Sequence, residues 1–336
     1  MYHPGPRNLI TDVPGLLVGN LTDERVRSGV TVLRPDRAWR AGVDVRGGGP
    51  GGREIAALEP ENMIGELHAL VLSGGSVFGL AAADGVAAAL SLENVGVRVQ
   101  PWTPAIPVVP AAVLHDLANH GDKDWGLEPP YRRWGGEALA AADEDFQLGA
   151  VGAGRGALAG TRPGGLGSAS LVLGEGLVVG ALVAVNPVGS VYMDDGRTFW
   201  SWPWEIDGEY GRRRPPTDAC HRDPIPELSR LESLGRLQAG ANTTLAVVAC
   251  NAELSTAECK RLAIMAQDGI ARAIRPAHLP FDGDTVFALA SGARCLPEGP
   301  RRPVQLSLLG SAAADCLARA IARGVYEAGR EVEARI

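Results

Sequence analysis

Ala241-Asn242-Thr243-Thr244-Leu245-Ala246-Val247-Val248 joins a long irregular polar stretch to the first residues of an apolar run. Aliphatic and β-branched residues favour extended backbone, so the run reads as a buried strand with Thr243 at its lip. Three readings of Thr243 stand open from these letters. It is an ordinary strand former, or, with Asn242, part of an Asn-x-Ser/Thr glycosylation acceptor. The third reading makes it a nucleophile. If the Asn242–Thr243 bond is cut, one residue carries both a hydroxyl and an α-amine, and the amine, with an unperturbed pKa of about 7.7–8.0, can serve as general base.

Outward from this stretch the periodicity predicts short elements joined by tight turns, as 44 glycines and 24 prolines suggest. Residues 244–250 and 285–290 read as strands around a helix over 255–274, opened by a capping box of Ser255 and Glu258. Residues 304–309 read as a strand and 312–326 as a helix with Leu317, Ile321 and Val325 on one face. On the N-terminal side, 16–20, 30–33, 41–45, 168–173 and 177–185 read as strands. Helices are expected over 110–117 and 136–142, with an Ala-rich, closely packed one over 78–90. From 194 to 240 the pattern dissolves into prolines, arginines and the cluster Trp200-Ser201-Trp202-Pro203-Trp204, a length of chain that is usually functional or mobile. Strands grouped between pairs of helices predict a layered α/β sandwich.

Composition narrows the function classes. With 336 residues, 46% hydrophobic and 21% charged, the chain reads as an ordinary globular protein, and the length fits one large α/β domain. A net charge of -7 gives no electrostatic footprint for nucleic acid or an anionic membrane. Five dispersed cysteines without a C-x-x-C pair suggest neither a disulfide framework nor a zinc site. Residues 1–9 lack the features of a signal peptide, so a cytoplasmic location is expected, which speaks against glycosylation of Asn242. No P-loop ending is present, and the six histidines show no H-E-x-x-H spacing, so no cofactor or metal is expected.

Several residues outside the opening stretch can serve chemistry. In Phe281-Asp282-Gly283-Asp284-Thr285 the carboxylates at i and i+2 share a side of an extended backbone, positioned for an ammonium or a proton relay; an Asp-Gly turn with solvated acids is the plainer reading. Asn186, between a predicted strand and Pro187, can project an amide as an oxyanion donor or simply form a turn. The small-residue turns Ser73-Gly74-Gly75-Ser76 and Gly164-Gly165-Leu166-Gly167-Ser168 can offer backbone N–H groups to an anion. His278 is close to the acid pair and reads as a packed or surface histidine.

These motifs together resemble peptidase family S58 of the N-terminal nucleophile hydrolases, which includes L-aminopeptidase/D-esterase, the β-peptidyl aminopeptidases and the 6-aminohexanoate-oligomer hydrolase. The similarity begins at Asn8-Leu9-Ile10-Thr11-Asp12-Val13-Pro14-Gly15 and continues through Leu72 to Leu80, Pro107 to Ala112, Gly164 to Ser170, Val185-Asn186, Asn242 to Val248 and Pro280 to Thr285. The resemblance implies a four-layer αββα sandwich, shared with ornithine acetyltransferase, made as a precursor that cuts itself into an α chain 1–242 and a β chain 243–336. It implies Thr243 as nucleophile, Asn186 as oxyanion asparagine and Asp282 with Asp284 as the polar pair. A small peptide or amide substrate, released through an acyl-Thr243 ester, and a homo-oligomer of processed αβ units are also implied. Amine acyl transfer and an unprocessed inactive homologue are the alternatives. One position departs: the lysine often found directly before the Gly-Gly turn is Pro163 here, with Arg162 one residue back.

Overall fold

The computed structural model describes residues 2–217, 223–231 and 242–333. Two sheets face one another. One contains β1 (Leu16–Asp23), β2 (Ser28–Pro35), β4 (Gly52–Arg53), β6 (Leu70–Ser73) and β7 (Ala111–Val113), in the order β1-β2-β6-β7-β4. The other contains β3 (Trp39–Val45), β5 (Glu66–Leu67), β10 (Gly165–Val172), β11 (Val178–Asn186), β12 (Thr243–Ala252) and β13 (Thr285–Arg294), in the order β10-β11-β12-β13-β3-β5. A separate ribbon pairs β8 (Leu158–Ala159) with β9 (Arg162–Pro163). Helices α1 (Ala82–Leu92) and α2 (Tyr131–Ala140) cover the first sheet, and α3 (Thr256–Ala273) and α4 (Arg301–Glu333) the second. The layers are therefore α, β, β, α, as expected.

All ten residues of β12 are buried, because both of its faces are covered. Leu245, Val247 and Ala249 pack between the sheets, while Ala246, Val248 and Cys250 pack under α3 and α4. A strand so placed has no polar face, so its sequence is a continuous apolar run rather than an alternation. β12 and β13 are parallel, which requires a long crossover, and α3 supplies it. Ser255 caps α3 as predicted, its Oγ accepting from the Glu258 N–H while Glu258 accepts from the Ser255 N–H. On the opposite side α1 and α2 approach so closely that a Cβ on Gly85 would lie 1.8 Å from the Arg132 carbonyl oxygen.

Two predicted elements are corrected. Residues 111–113 form strand β7, not a helix, pairing in parallel with β6. The run is apolar on both faces and so carries no period by which to tell strand from helix. Residues 304–309 belong to α4, not to a strand. Their apolar-polar alternation mimics a strand, but Leu309, Ala313, Leu317, Ile321 and Val325 continue one buried stripe at a spacing of four, and Pro303 sits in the first turn, where a helix tolerates it. By length and composition α4 is apolar enough to cross a membrane, yet that stripe is buried against α3, β10 and β11.

Part of the irregular stretch from 194 onward is anchored. Glu209 accepts two hydrogen bonds from the buried Arg319 at 2.6 and 2.9 Å. Trp200, Trp202 and Trp204 each lie under a guanidinium, of Arg275, Arg214 and Arg272, at 5.2–5.3 Å. Residues 218–222 and 232–241, the remainder of that stretch up to Asn242, lie outside the described residues.

Candidate active site

Thr243 begins β12 opposite Asn186, the last residue of β11, and Asn242 bridges to Asp282 just ahead of β13. The ends of three adjacent strands thus bring Asn186, Asn242, Thr243, Asp282 and Asp284 to one place. Thr243 and Asn242 are each only 1% exposed. The carbonyl oxygen of Asn242 accepts from the Gly283 N–H at 2.8 Å and from the Thr243 hydroxyl at 2.6 Å. The bond between 242 and 243 therefore has a backbone donor on its carbonyl and a hydroxyl held beside it. Gly283 permits this approach: a Cβ there would lie 2.6 Å from Thr243 Oγ1 and 3.0 Å from the Gly49 carbonyl oxygen.

The two carboxylates share one loop. Consecutive N–H groups of His278 and Leu279 donate to Asp284 Oδ2 at 3.1 Å and to Asp282 Oδ2 at 2.9 Å. Asp284 also accepts from the Thr244 N–H at 2.8 Å and from His278 Nδ1 at 2.8 Å. Asp282 has a weaker set, with the Val188 N–H at 3.5 Å from Oδ1. Burial, and then the neighbouring charge of Asp284, push its carboxyl up to about 7. Such a group exchanges protons near neutrality, as a general base or acid requires. His278 is thus a partner of the acid pair rather than an unrelated packed histidine.

A third element grips this loop. The glycine turn after β3 donates from Arg46 N–H and Gly47 N–H to the Asp284 carbonyl, and from Gly49 N–H to the Asp282 carbonyl at 2.8 Å. A Cβ on Gly47 would lie 2.3 Å from the Asp282 carbonyl oxygen and 2.4 Å from the Asp284 nitrogen.

Other predicted site residues are placed differently from the sequence reading. The Asn186 Oδ1 accepts from the Leu158 N–H at 2.9 Å, and its Nδ2 donates to the His115 carbonyl at 3.2 Å, so the amide is engaged while lying beside Thr243. The turn at Ser73, Gly74 and Gly75 offers no open anion cradle. Ser73 Oγ donates to the Gly74 carbonyl, Gly74 N–H to the Gly29 carbonyl, Gly75 N–H to Asp116 at 2.7 Å and Ser76 N–H to the Leu114 carbonyl. Gly164 N–H is likewise used by the Ala157 carbonyl at 2.8 Å, and Gly165 pairs with Val185 in the ladder. Arg162 is exposed on β9 beside Gly196.

The cation that faces Asp282 is Arg230, which the sequence reading missed. Its Nη2 donates to the Pro187 carbonyl at 2.8 Å and to the Leu158 carbonyl at 3.0 Å. Leu158 is the residue whose N–H holds Asn186, so Arg230 ties the supports of Asn186 together. Burial lowers its pKa to about 10 against the opposing pull of Asp282. Nothing in the sequence marks it, since these hydrogen bonds go to main-chain carbonyls that any residue supplies. Among the described residues, no three His, Cys, Asp or Glu side chains gather as a metal site.

This arrangement can polarise a carbonyl, hold a hydroxyl against it and exchange a proton nearby. Comparison with known proteins finds relatives along nearly the whole chain. The family model described as peptidase family S58 covers residues 8–335. An uncharacterized aminopeptidase of Mycobacterium tuberculosis is 44% identical, over 96% of this chain and 94% of its own. A 6-aminohexanoate-oligomer endohydrolase of Kocuria sp. is 31% identical, over 93% of this chain and 84% of its own. In fold, the L-aminopeptidase D-Ala-esterase/amidase of Ochrobactrum anthropi, a variant of the N-terminal nucleophile hydrolase fold, superposes with a TM-score of 0.64 at 21% identity, covering 96% of this chain and 86% of that one.

Proposed function

The chain belongs to peptidase family S58 and has the N-terminal nucleophile hydrolase fold of an aminopeptidase- or amidase-type hydrolase, and from this we propose that it cuts itself at Asn242–Thr243 and then hydrolyses small amino-terminated amides through Thr243. The observation that carries the reading is the Asn242 carbonyl held between the Gly283 N–H and the Thr243 hydroxyl.

In the first step Thr243 Oγ1 attacks the Asn242 carbonyl carbon, and the Gly283 N–H bears the charge that develops on the oxygen. The C–N bond breaks, the proton given up by Oγ1 passes to the Thr243 nitrogen, which leaves as the amine, and an ester to Oγ1 remains. Water hydrolyses that ester, leaving a carboxylate on Asn242 and a free Thr243. In turnover the α-amine takes the Thr243 hydroxyl proton, Oγ1 attacks the substrate carbonyl, and the proton passes to the departing amine. Water then releases the acyl group. Asp282 and Asp284 suit the ammonium of an amino-terminated substrate. Arg230 holds the backbone supports of Asn186 and sets a positive charge against Asp282.

Denaturing gels with intact-mass measurement test the reading. Wild-type protein should give two pieces divided between 242 and 243, and Thr243→Ala should stay whole and lose at least about 1000-fold in amide turnover. An uncut but active wild type, or an active Thr243→Ala, would overturn it.

A further inference from the structure

A cavity of about 670 Å³, a size in the middle of the range for ligand pockets, lies between the last turns of α4 and the stretch 192–213 that Glu209 anchors to that helix. Two kinds of side chain line it: the guanidinium groups of Arg197, Arg213 and Arg330, and the rings of Tyr192, Phe199, Tyr210 and Tyr326. The rings form one cluster about Phe199, whose centroid lies 4.4 Å from Tyr192, 5.3 Å from Tyr210 and 6.5 Å from Tyr326. Phe199 and Tyr210 are buried, so the half-buried Tyr192 and Tyr326 present the aromatic surface. Glycines shape the rest. The backbone is left-handed at Gly196 and Gly211, at φ +65 and +102, shortly before Arg197 and Arg213. On α4, Tyr326, Gly329 and Arg330 share a face at i, i+3 and i+4, and a Cβ on Gly329 would meet nothing within 4 Å. Arg162, exposed on β9, stands next to the rim, its Nη2 3.7 Å from where Gly196 would carry a Cβ.

No carboxylate lines this space, and those in the same segments are engaged. Asp195 accepts from the N–H groups of Arg197 and Thr198 and from the Thr198 hydroxyl. Glu209 is held by Arg319, and Glu327 pairs with Arg330 at 3.2 Å. Among the described residues neither Arg197 nor Arg213 is in an ion pair. A guanidinium grips oxyanions through paired N–H donors, and flat rings stack on its face as they do on tyrosine. One carboxylate offers two oxygens, too few for three guanidiniums. A phosphate monoester offers three, with nearly two charges near neutral pH.

We propose that this cavity is a second binding site, separate from Thr243, for a small aromatic phosphate whose dianion lies among Arg197, Arg213 and Arg330 and whose ring lies on Tyr192 and Tyr326. Titration calorimetry near neutral pH with phenyl phosphate, adenosine monophosphate, inorganic phosphate and phenol tests it. One or both of the aromatic phosphates should bind at least about tenfold more tightly than inorganic phosphate and than phenol. The tighter of the two tells whether the ligand is a simple aryl ester or a nucleotide. Gly329→Leu puts a side chain into the cavity while favouring the helix, and with Arg213→Ala it should weaken that binding by about tenfold or more. Arg261→Ala, which removes an exposed charge on α3, and Thr243→Ala should leave it unchanged. Thermal unfolding should show Gly329→Leu to be at least as stable as wild type. Binding of neither aromatic phosphate, inorganic phosphate binding as tightly as both, or unchanged binding in folded Gly329→Leu overturns the proposal. Loss of binding in folded Thr243→Ala also overturns it, since the ligand would then occupy the site at Thr243.

Discussion

Two glycine turns that look alike in the sequence, 47–52 and 73–76, are put to opposite uses. The first spends its N–H groups on another segment, clasping the carbonyls of Asp282 and Asp284 and so fixing the loop that holds the Asn242 carbonyl. The second turns inward, its N–H groups consumed by Gly29, Asp116 and Leu114, with Tyr131 packed against Gly75. One is an extension of the site and the other its scaffold. Glycine density signals that backbone approaches something closely; what it approaches is decided by the topology.

The sharpest way to break this contrast is to add one methyl to each turn. Gly47→Ala forces a Cβ into the main chain at 282–284, and self-cleavage followed on gels should slow by about 100-fold through misplacement of that loop. Gly75→Ala, at φ +82 and against the Tyr131 ring, should instead lower stability by roughly 2–4 kcal/mol in denaturant melts, with folded molecules still cutting themselves. Equal effects of both changes on cleavage would erase the distinction. A gentler probe is Asp282→Asn. The native carboxyl titrates near 7, above its ordinary range, so its charging destabilises the native state as pH rises between the unfolded and folded values. The variant should therefore melt higher than wild type at pH 8, have its advantage shrink toward pH 4, and lose the limb near 7 in the pH profile of cleavage. The smallest effect is expected away from both turns, where Glu258 accepts two hydrogen bonds from Arg302 at 2.6 and 2.8 Å and is held down to about 2. Arg302→Ala should cost about 1 kcal/mol at neutral pH, fading as acid approaches that value, and leave cleavage untouched.

What could be read from the sequence depended on where each residue's partners lie. β12 and β13 were legible as apolar runs and α3 through its Ser255–Glu258 box, because those signals are local. Thr243, Asn186, Asp282 and Asp284 were legible as residues at the ends of such elements, which is where the structure gathers them. β7 was misread because burial on both faces removes periodicity, and the start of α4 because Val304, Leu306 and Leu308 alternate with polar residues. Arg230 and the clasp of Gly47 and Gly49 were invisible for a different reason. The hydrogen bonds that place them go to main-chain carbonyls, which carry no sequence identity.

In the six-stranded sheet β12 and β13 lie between β11 on one side and β3 on the other, both from the chain before Thr243. A break between 242 and 243 therefore leaves the later piece wedged in the middle of the earlier one, bonded along both flanks. Before the break, losing the fold and regaining it are events within one molecule. Afterwards they involve two molecules, and reassembly depends on protein concentration. The position of these strands would make the proposed cut a ratchet: a chain would pass it once, folded, and could not return to the single thread from which it started.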